Sequence, residues 1–132
     1  MASQWLLISN TKQQIKQLNE KSKLVRPTYV KVKLANSRDW VKWNSNIRGY
    51  MASLRIPDIL SATYEIPTNG TSEYTVYDIQ NTLLSSFIFE TVEQDYHYLL
   101  QEKISAWDQY KTLQEYFDLG HHAHRYHATK EI

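Results

Sequence analysis

Residues 38–60 read RDWVKWNSNIRGYMASLRIPDIL, and this stretch decides the fold. Trp40, Trp43, Ile47, Tyr50, Met51 and Leu54 recur at the three- and four-residue spacing of a single helical face. Arg38, Lys42, Asn46 and Arg48 fall largely off that face. Asn36 or Ser37 supplies an N-cap, so the spacing predicts a helix of about 18 residues that ends at Pro57. Pro57 is expected to open a further helical turn over Asp58–Leu60.

Two more segments have the same character. Residues 74–96 read YTVYDIQNTLLSSFIFETVEQDY, in which Val76, Ile79, Leu83, Leu84, Phe87 and Ile88 form a wide apolar stripe. Such a stripe suits the central helix of a bundle, opened near Ser72 and running to Glu90. Residues 105–117 read SAWDQYKTLQEYF: Ser105 caps, and Trp107, Tyr110, Leu113 and Phe117 give the buried face. Between these two, residues 93–102 are expected to be helical, with Tyr96, Leu99 and Leu100 inward.

Residues 2–22 read as a first helix. The triplet Ser9-Asn10-Thr11 suits an N-cap within it, with Gln14 at N3, and marks the place for an interruption. Residues 21–27 are a polar, basic linker. Residues 29–34 alternate apolar residues with Lys, the period of a short exposed strand. Residues 62–72 form a loop whose Asn69-Gly70-Thr71 is a glycosylation sequon read as an exposed Asn-Gly turn. Gly120 is a natural helix stop before a polar tail. The expected fold is all-α, a compact bundle of about five helices with a short β segment near residues 29–34. It divides into an N-terminal helix and basic linker (1–28), a helical lobe (29–119) and a His-rich tail (120–132).

Composition narrows the function classes. At 132 residues the chain is one domain with room for a real core. Three Gly and three Pro leave little scope for a phosphate-cradling loop or an all-β sandwich. With no Cys there are no disulfides, thiol nucleophiles or Cys-based zinc sites, which fits a reducing compartment. Trp5–Ile8 is too short for the apolar core of a signal peptide, and Ser85 and Ser86 break the longest apolar run, so no membrane partner is expected.

The net charge of +1 conceals a division. Residues 1–55 hold eleven Lys and Arg against two acidic residues, and residues 56–132 hold four against twelve. The halves are therefore +9 and −8. A split of this kind can draw nucleic acid to the basic half, or make one copy's surface complementary to another's.

The order of these features resembles the N-terminal capsid region of copia-type LTR retrotransposon Gag proteins. Val32-Lys33-Leu34, the polar turn Asn36–Asp39 and the pair Trp40 and Trp43 match the start of that region. Tyr77 and Asp78 stand near the start of the next helix, and the run Leu83–Phe89 resembles the family's central helix. Ser105-Ala106-Trp107, with Leu113 and Tyr116, resembles the last helix of the lobe. The resemblance covers about 90 of the 132 residues. It implies a helical lobe that multimerises into the shell of a cytoplasmic virus-like particle around the element's RNA. The family's CCHC zinc knuckle and second capsid lobe have no counterpart here, so an excised lobe or a short product is expected. Protease, integrase and reverse transcriptase motifs are also missing.

Candidate sites follow from these readings. Trp40, Trp43, Ile47, Leu54, Leu83, Phe87, Trp107, Leu113 and Phe117 are expected as core packing anchors. Lys12, Lys16, Lys21, Lys23, Arg26, Lys31 and Lys33 are candidate RNA or assembly contacts. The polar faces of the 1–20 and 36–55 helices are the expected assembly surfaces, meeting the acidic half of a neighbour. His121, His122, His124 and His127 carry donors that bind zinc, copper or nickel, but a tail gives no pre-formed geometry, so they read as a polar connector. The acidic residues sit off the apolar stripes and only His97 lies near them, so neither a catalytic set, a cofactor, a metal nor a small-molecule substrate is expected. A nucleic-acid-binding helical module is the second reading. A truncated or domesticated Gag fragment that interferes with capsid assembly is the third.

Overall fold

The computed structural model describes residues 2–24, 33–103 and 105–118. The chain is predominantly helical. Its α-helices are α1 (Ala2–Leu24), α2 (Trp40–Ser53), α3 (Ser72–Thr91) and α4 (Ala106–Phe117). Two 3-10 turns, Ser37–Asp39 and Gln94–Leu99, precede α2 and follow α3. α3 is the hub, packing against α1, α2 and α4.

Each helix start has a local cause. Before α2, the Asn36 Oδ1 atom accepts from the Arg38 N–H at 2.9 Å. The Asp39 carboxylate accepts in return from the N–H groups of Ala35 and Asn36. Three N–H groups around the turn are thus satisfied, one by Asn36 and two by Asp39. The Thr68–Thr71 turn closes with a 3.2 Å bond from the Thr71 N–H to the Thr68 carbonyl. Gly70 sits at φ 89°, as the third residue of a type II turn requires. That turn delivers Thr71, whose hydroxyl caps α3 at Tyr74. Ser105 caps α4 at Asp108, and the next N–H, of Ala106, donates to the Asn81 side chain of α3 at 2.9 Å. The start of α4 is therefore fixed to α3 as well as capped.

α2 stops earlier than Pro57 requires. The Ile56 N–H bonds to the Met51 carbonyl and the Arg55 N–H to the Ala52 carbonyl, the paired bonds of a Schellman motif. Arg55 occupies the left-handed position at φ 54°, where glycine is the usual residue. An Arg55→Gly protein should therefore gain up to about 1 kcal/mol, relief of the Cβ clash outweighing the looser unfolded chain. Urea unfolding checks this; a loss of stability would mean the Arg55 side chain holds α1 in place. Beyond Pro57 the chain turns through a 2.7 Å bond from the Ile59 N–H to the Pro57 carbonyl, in place of the helical turn expected at 58–60. Inside α2, Gly49 is exposed and a Cβ there would meet nothing within 4 Å. Gly49→Ala should stabilise by about 0.5–1 kcal/mol in the same assay, through helix propensity alone.

The core gathers α2, α3, α4 and the segments that connect them. Trp43, Ile47, Leu84, Phe87, Ile88, Leu113 and Phe117 are all deeply buried. Trp43 donates its indole N–H to the Thr91 hydroxyl at 2.8 Å, and that hydroxyl donates to the Phe87 carbonyl at 2.7 Å. The polar atom of the buried ring is thus satisfied inside the core. Leu34 is 0 % exposed and clasps the end of α3. Its N–H donates to the Thr91 carbonyl at 2.8 Å and its carbonyl accepts from the Glu93 N–H at 3.0 Å.

Several expectations are corrected. Of the strand expected over 29–34, residues 29–32 lie outside the described residues, and of the described pair Lys33 and Leu34 only Leu34 forms a β contact, an isolated parallel bridge with Val92. α1 runs through Ser9-Asn10-Thr11 without a break. The helix expected over 93–102 is the 3-10 turn Gln94–Leu99. Leu83 is only half-buried: the inward residues of α3 are Gln80, Leu84, Phe87, Ile88 and Thr91, which leaves Leu83 on the flank. Trp107 is half-buried too, because Ala106 and Gln109 take the inward positions of α4.

Candidate functional site

The expected packing anchors fall into one cluster. Trp40, Trp43, Ile47, Leu54, Phe87, Leu113 and Phe117 are buried in it, while Leu83 and Trp107 pack against its edge. Trp40 lies 5.4 Å from Trp43 and 5.6 Å from Tyr110, ring centre to ring centre. Trp107 extends the row at 6.2 Å from Tyr110, with the Lys111 ammonium over its outer face. These tryptophans join α2 to α4 and leave little ring surface for stacking on a base.

Beside this row a polar set locks the same two helices. The Tyr110 hydroxyl donates to the Asn44 side chain at 2.6 Å. Arg48 reaches the same hydroxyl at 3.3 Å and Asp58 at 2.6 Å. The Arg48–Asp58 pair is largely exposed and contributes at most about 1 kcal/mol. The group orients α2, Asp58 and α4 rather than presenting an acid and a base to a ligand.

The described surface includes two concavities beside α3. One, of about 380 Å³, runs along α3 and is lined by Asn81, Thr82, Ser85, Ser86, Phe89 and Glu90. The other, of about 160 Å³, lies where α1 meets α2 and α3, with Gln14, Gln17 and Leu18 facing Leu54, Val76 and Gln80. Among the described residues no group of three or more His, Cys, Asp or Glu could hold a metal ion. His121, His122, His124 and His127 lie outside the described residues. His97 sits half-buried with its Nε2 3.0 Å from the Val92 carbonyl and its ring against Phe89. Among the described residues no helix is long and apolar enough to cross a membrane.

Burial raises the Tyr50, Tyr64 and Tyr77 hydroxyls above the usual phenol value, with the Glu90 charge adding at Tyr50. Tyr98 is raised first by its hydrogen bond with Tyr116. All four stay protonated near neutral pH, so none supplies a phenolate.

The expected cationic contacts divide. Lys12, Lys16 and Lys23 are exposed, and their spacing sets them along one face of α1. Lys21 is half-buried in the groove beside Leu18. Lys33 is exposed on a different segment, next to Leu34. Arg26 and Lys31 lie outside the described residues.

The sequence reading named Tyr116 only for its place in the last helix, and it named none of the exposed apolar side chains Val41, Ile66, Tyr98 and Tyr116 as a contact surface. Val41 is a lone apolar residue on a polar face, and Tyr98 and Tyr116 merge into a tyrosine-rich background. The available signal was the like charge around them: Arg38 and Lys42 flank Val41, whereas Glu115 precedes Tyr116 and Glu102 lies four residues after Tyr98. Comparison with protein-family models, with curated proteins and with solved structures gives no match.

Proposed function

We propose that this chain is a capsid lobe of a copia-type Gag protein, which self-associates into a cytoplasmic virus-like particle shell around the element's RNA. The observation that carries the reading is the order of parts. A β contact at Leu34, the paired tryptophans of α2, the central α3 and the aromatic α4 follow one another as in the segments that resemble such proteins. The packing supports a structural role. The tryptophans and Tyr110 are spent on joining helices, and among the described residues the charges of the two halves lie mostly on the surface. A shell built from many weak, repeated contacts needs only a stable subunit and complementary faces. This reading assigns no catalysis and no cofactor to the chain.

The test is the mass distribution of the purified chain against concentration and salt, by light scattering with electron microscopy of the same samples. Pentamers, hexamers or particles should grow with concentration and recede as salt screens their charges. A strict monomer at high concentration would sink the capsid reading. The lysine face of α1 then favours an RNA-binding module. Three phosphate contacts to a single strand give a log–log salt slope of about −2.

A further inference from the structure

We infer that two exposed patches, one around Val41 and one around Tyr98 and Tyr116, are the two halves of a head-to-tail contact between copies of this chain. The inference rests on the self-association proposed above and names its surface.

Val41 is 78 % exposed, although its neighbour Trp40 is buried. Arg38 and Lys42 flank it, both exposed, and neither joins an ion pair among the described residues. The first patch is therefore an apolar spot with a positive rim. Tyr98 is 58 % and Tyr116 45 % exposed. Their hydroxyls lie close enough to interact electrostatically, which sets the two rings in one patch. Tyr116 also lies 4.8 Å from Phe117 and 5.8 Å from Tyr96, so core rings hold it from behind. Glu115 precedes Tyr116 and Glu102 follows Tyr98 by four residues; both are exposed, also without an ion pair among the described residues. The second patch is an aromatic platform with a negative rim.

A single exposed apolar side chain is ordinary on a protein surface. The opposite sign of the two rims is what relates these patches. Tyrosines already held in place lose little freedom on binding, and tyrosine is favoured at the centres of protein interfaces. Neither patch suits itself: a two-fold contact would set Arg38 and Lys42, or Glu102 and Glu115, against their own copies. Pairing one patch with the other removes that repulsion. A contact between unlike patches is heterologous, and it closes into a ring or extends into a lattice according to its rotation.

The test uses two charge-reversed chains, Arg38→Glu/Lys42→Glu and Glu102→Lys/Glu115→Lys, followed by sedimentation at low salt. Each variant alone presents two rims of the same sign, so the concentration needed for assembly should rise at least about tenfold. An equimolar mixture should restore assembly, since each variant then offers the rim that the other needs. All four side chains are exposed, and circular dichroism checks that both chains remain helical. If a reversal disturbs the fold, the neutral variants Arg38→Gln/Lys42→Gln and Glu102→Gln/Glu115→Gln should each still weaken assembly. Wild-type chain that assembles while the variants assemble equally well would overturn this contact and leave the capsid reading standing. So would a mixture that fails to recover. Wild-type chain that stays monomeric at every concentration would overturn both.

Discussion

Trp43→Ala should destabilise the chain by about 3–5 kcal/mol, the cost of deleting a fully buried aromatic ring and leaving a cavity behind. Trp43 is 0 % exposed, packs 5.4 Å from Trp40 and 6.3 Å from Tyr110, and donates to Thr91. Most of the loss is packing. The Thr91 hydroxyl keeps its bond to the Phe87 carbonyl and loses only an incoming donor. Against a total stability of about 5–15 kcal/mol for a typical domain, such a loss leaves a marginal protein or an unfolded one. Urea unfolding followed by circular dichroism measures it. Trp107→Ala is the internal comparison: its ring is only partly buried at the end of the same aromatic row, so it should cost clearly less. Equal losses would contradict the placement of Trp43 at the centre.

Leu34→Ala should cost about 2–5 kcal/mol, although Leu34 lies outside every helix. Alanine retains the N–H and carbonyl that bond to Thr91 and Glu93, so the substitution isolates the side chain. That side chain is wholly enclosed in the cluster formed by α2, α3 and α4. Thermal unfolding should show a fall of roughly 10 °C or more. Lys33→Ala, one residue earlier and exposed, should remain within about 0.5 kcal/mol of the parent. A small effect at Leu34 would mean that residues before α2 hang loosely beside the core.

The contrast between Leu34 and Trp43 indicates which parts of the fold were legible in the sequence. The inward face of α2 was legible because five large apolar residues repeat at helical spacing from Trp40 to Met51. Ser105 was legible as a cap because its chemistry is local. Leu34 was not, because alternation with Lys is the same in an exposed strand and in one buried residue that clasps a helix end. The inward face of α3 was displaced for a related reason. Gln80 and Thr91 are buried there, and a count of apolar residues passes over them. The spacing of Tyr96, Leu99 and Leu100 fits a 3-10 turn as well as an α-helix, since side chains three apart share a face in both. Arg55 at positive φ could not be foreseen, because the motif that holds it there is made by the backbone.

The candidate surface was less legible than the core. The charge division pointed to complementary faces, yet it did not single out Val41, Tyr98 or Tyr116. Exposure depends on which residues the neighbouring helices leave uncovered, and that is fixed by packing between distant segments. The basic set was dispersed by the same cause. Lys12, Lys16 and Lys23 share a helix face, while Lys21 turns into a groove and Lys33 belongs to another segment.

The clasp at Thr91 bears on how long a folded subunit lasts. Trp43 and Thr91 stand 48 residues apart, and Asn44 and Tyr110 stand 66 apart. Closing a loop of the first length costs about 2 kcal/mol more entropy than closing a four-residue turn. Contacts of such long reach are rewarded late on the folding path, after the nearer pairing of α3 with α4. Weakening a late contact changes the folding rate little and hastens unfolding. Weakening the seam where Leu34 and Trp43 meet Thr91 is therefore expected to shorten the lifetime of the native subunit more than it slows its formation, which stopped-flow unfolding and refolding of Trp43→Ala would check.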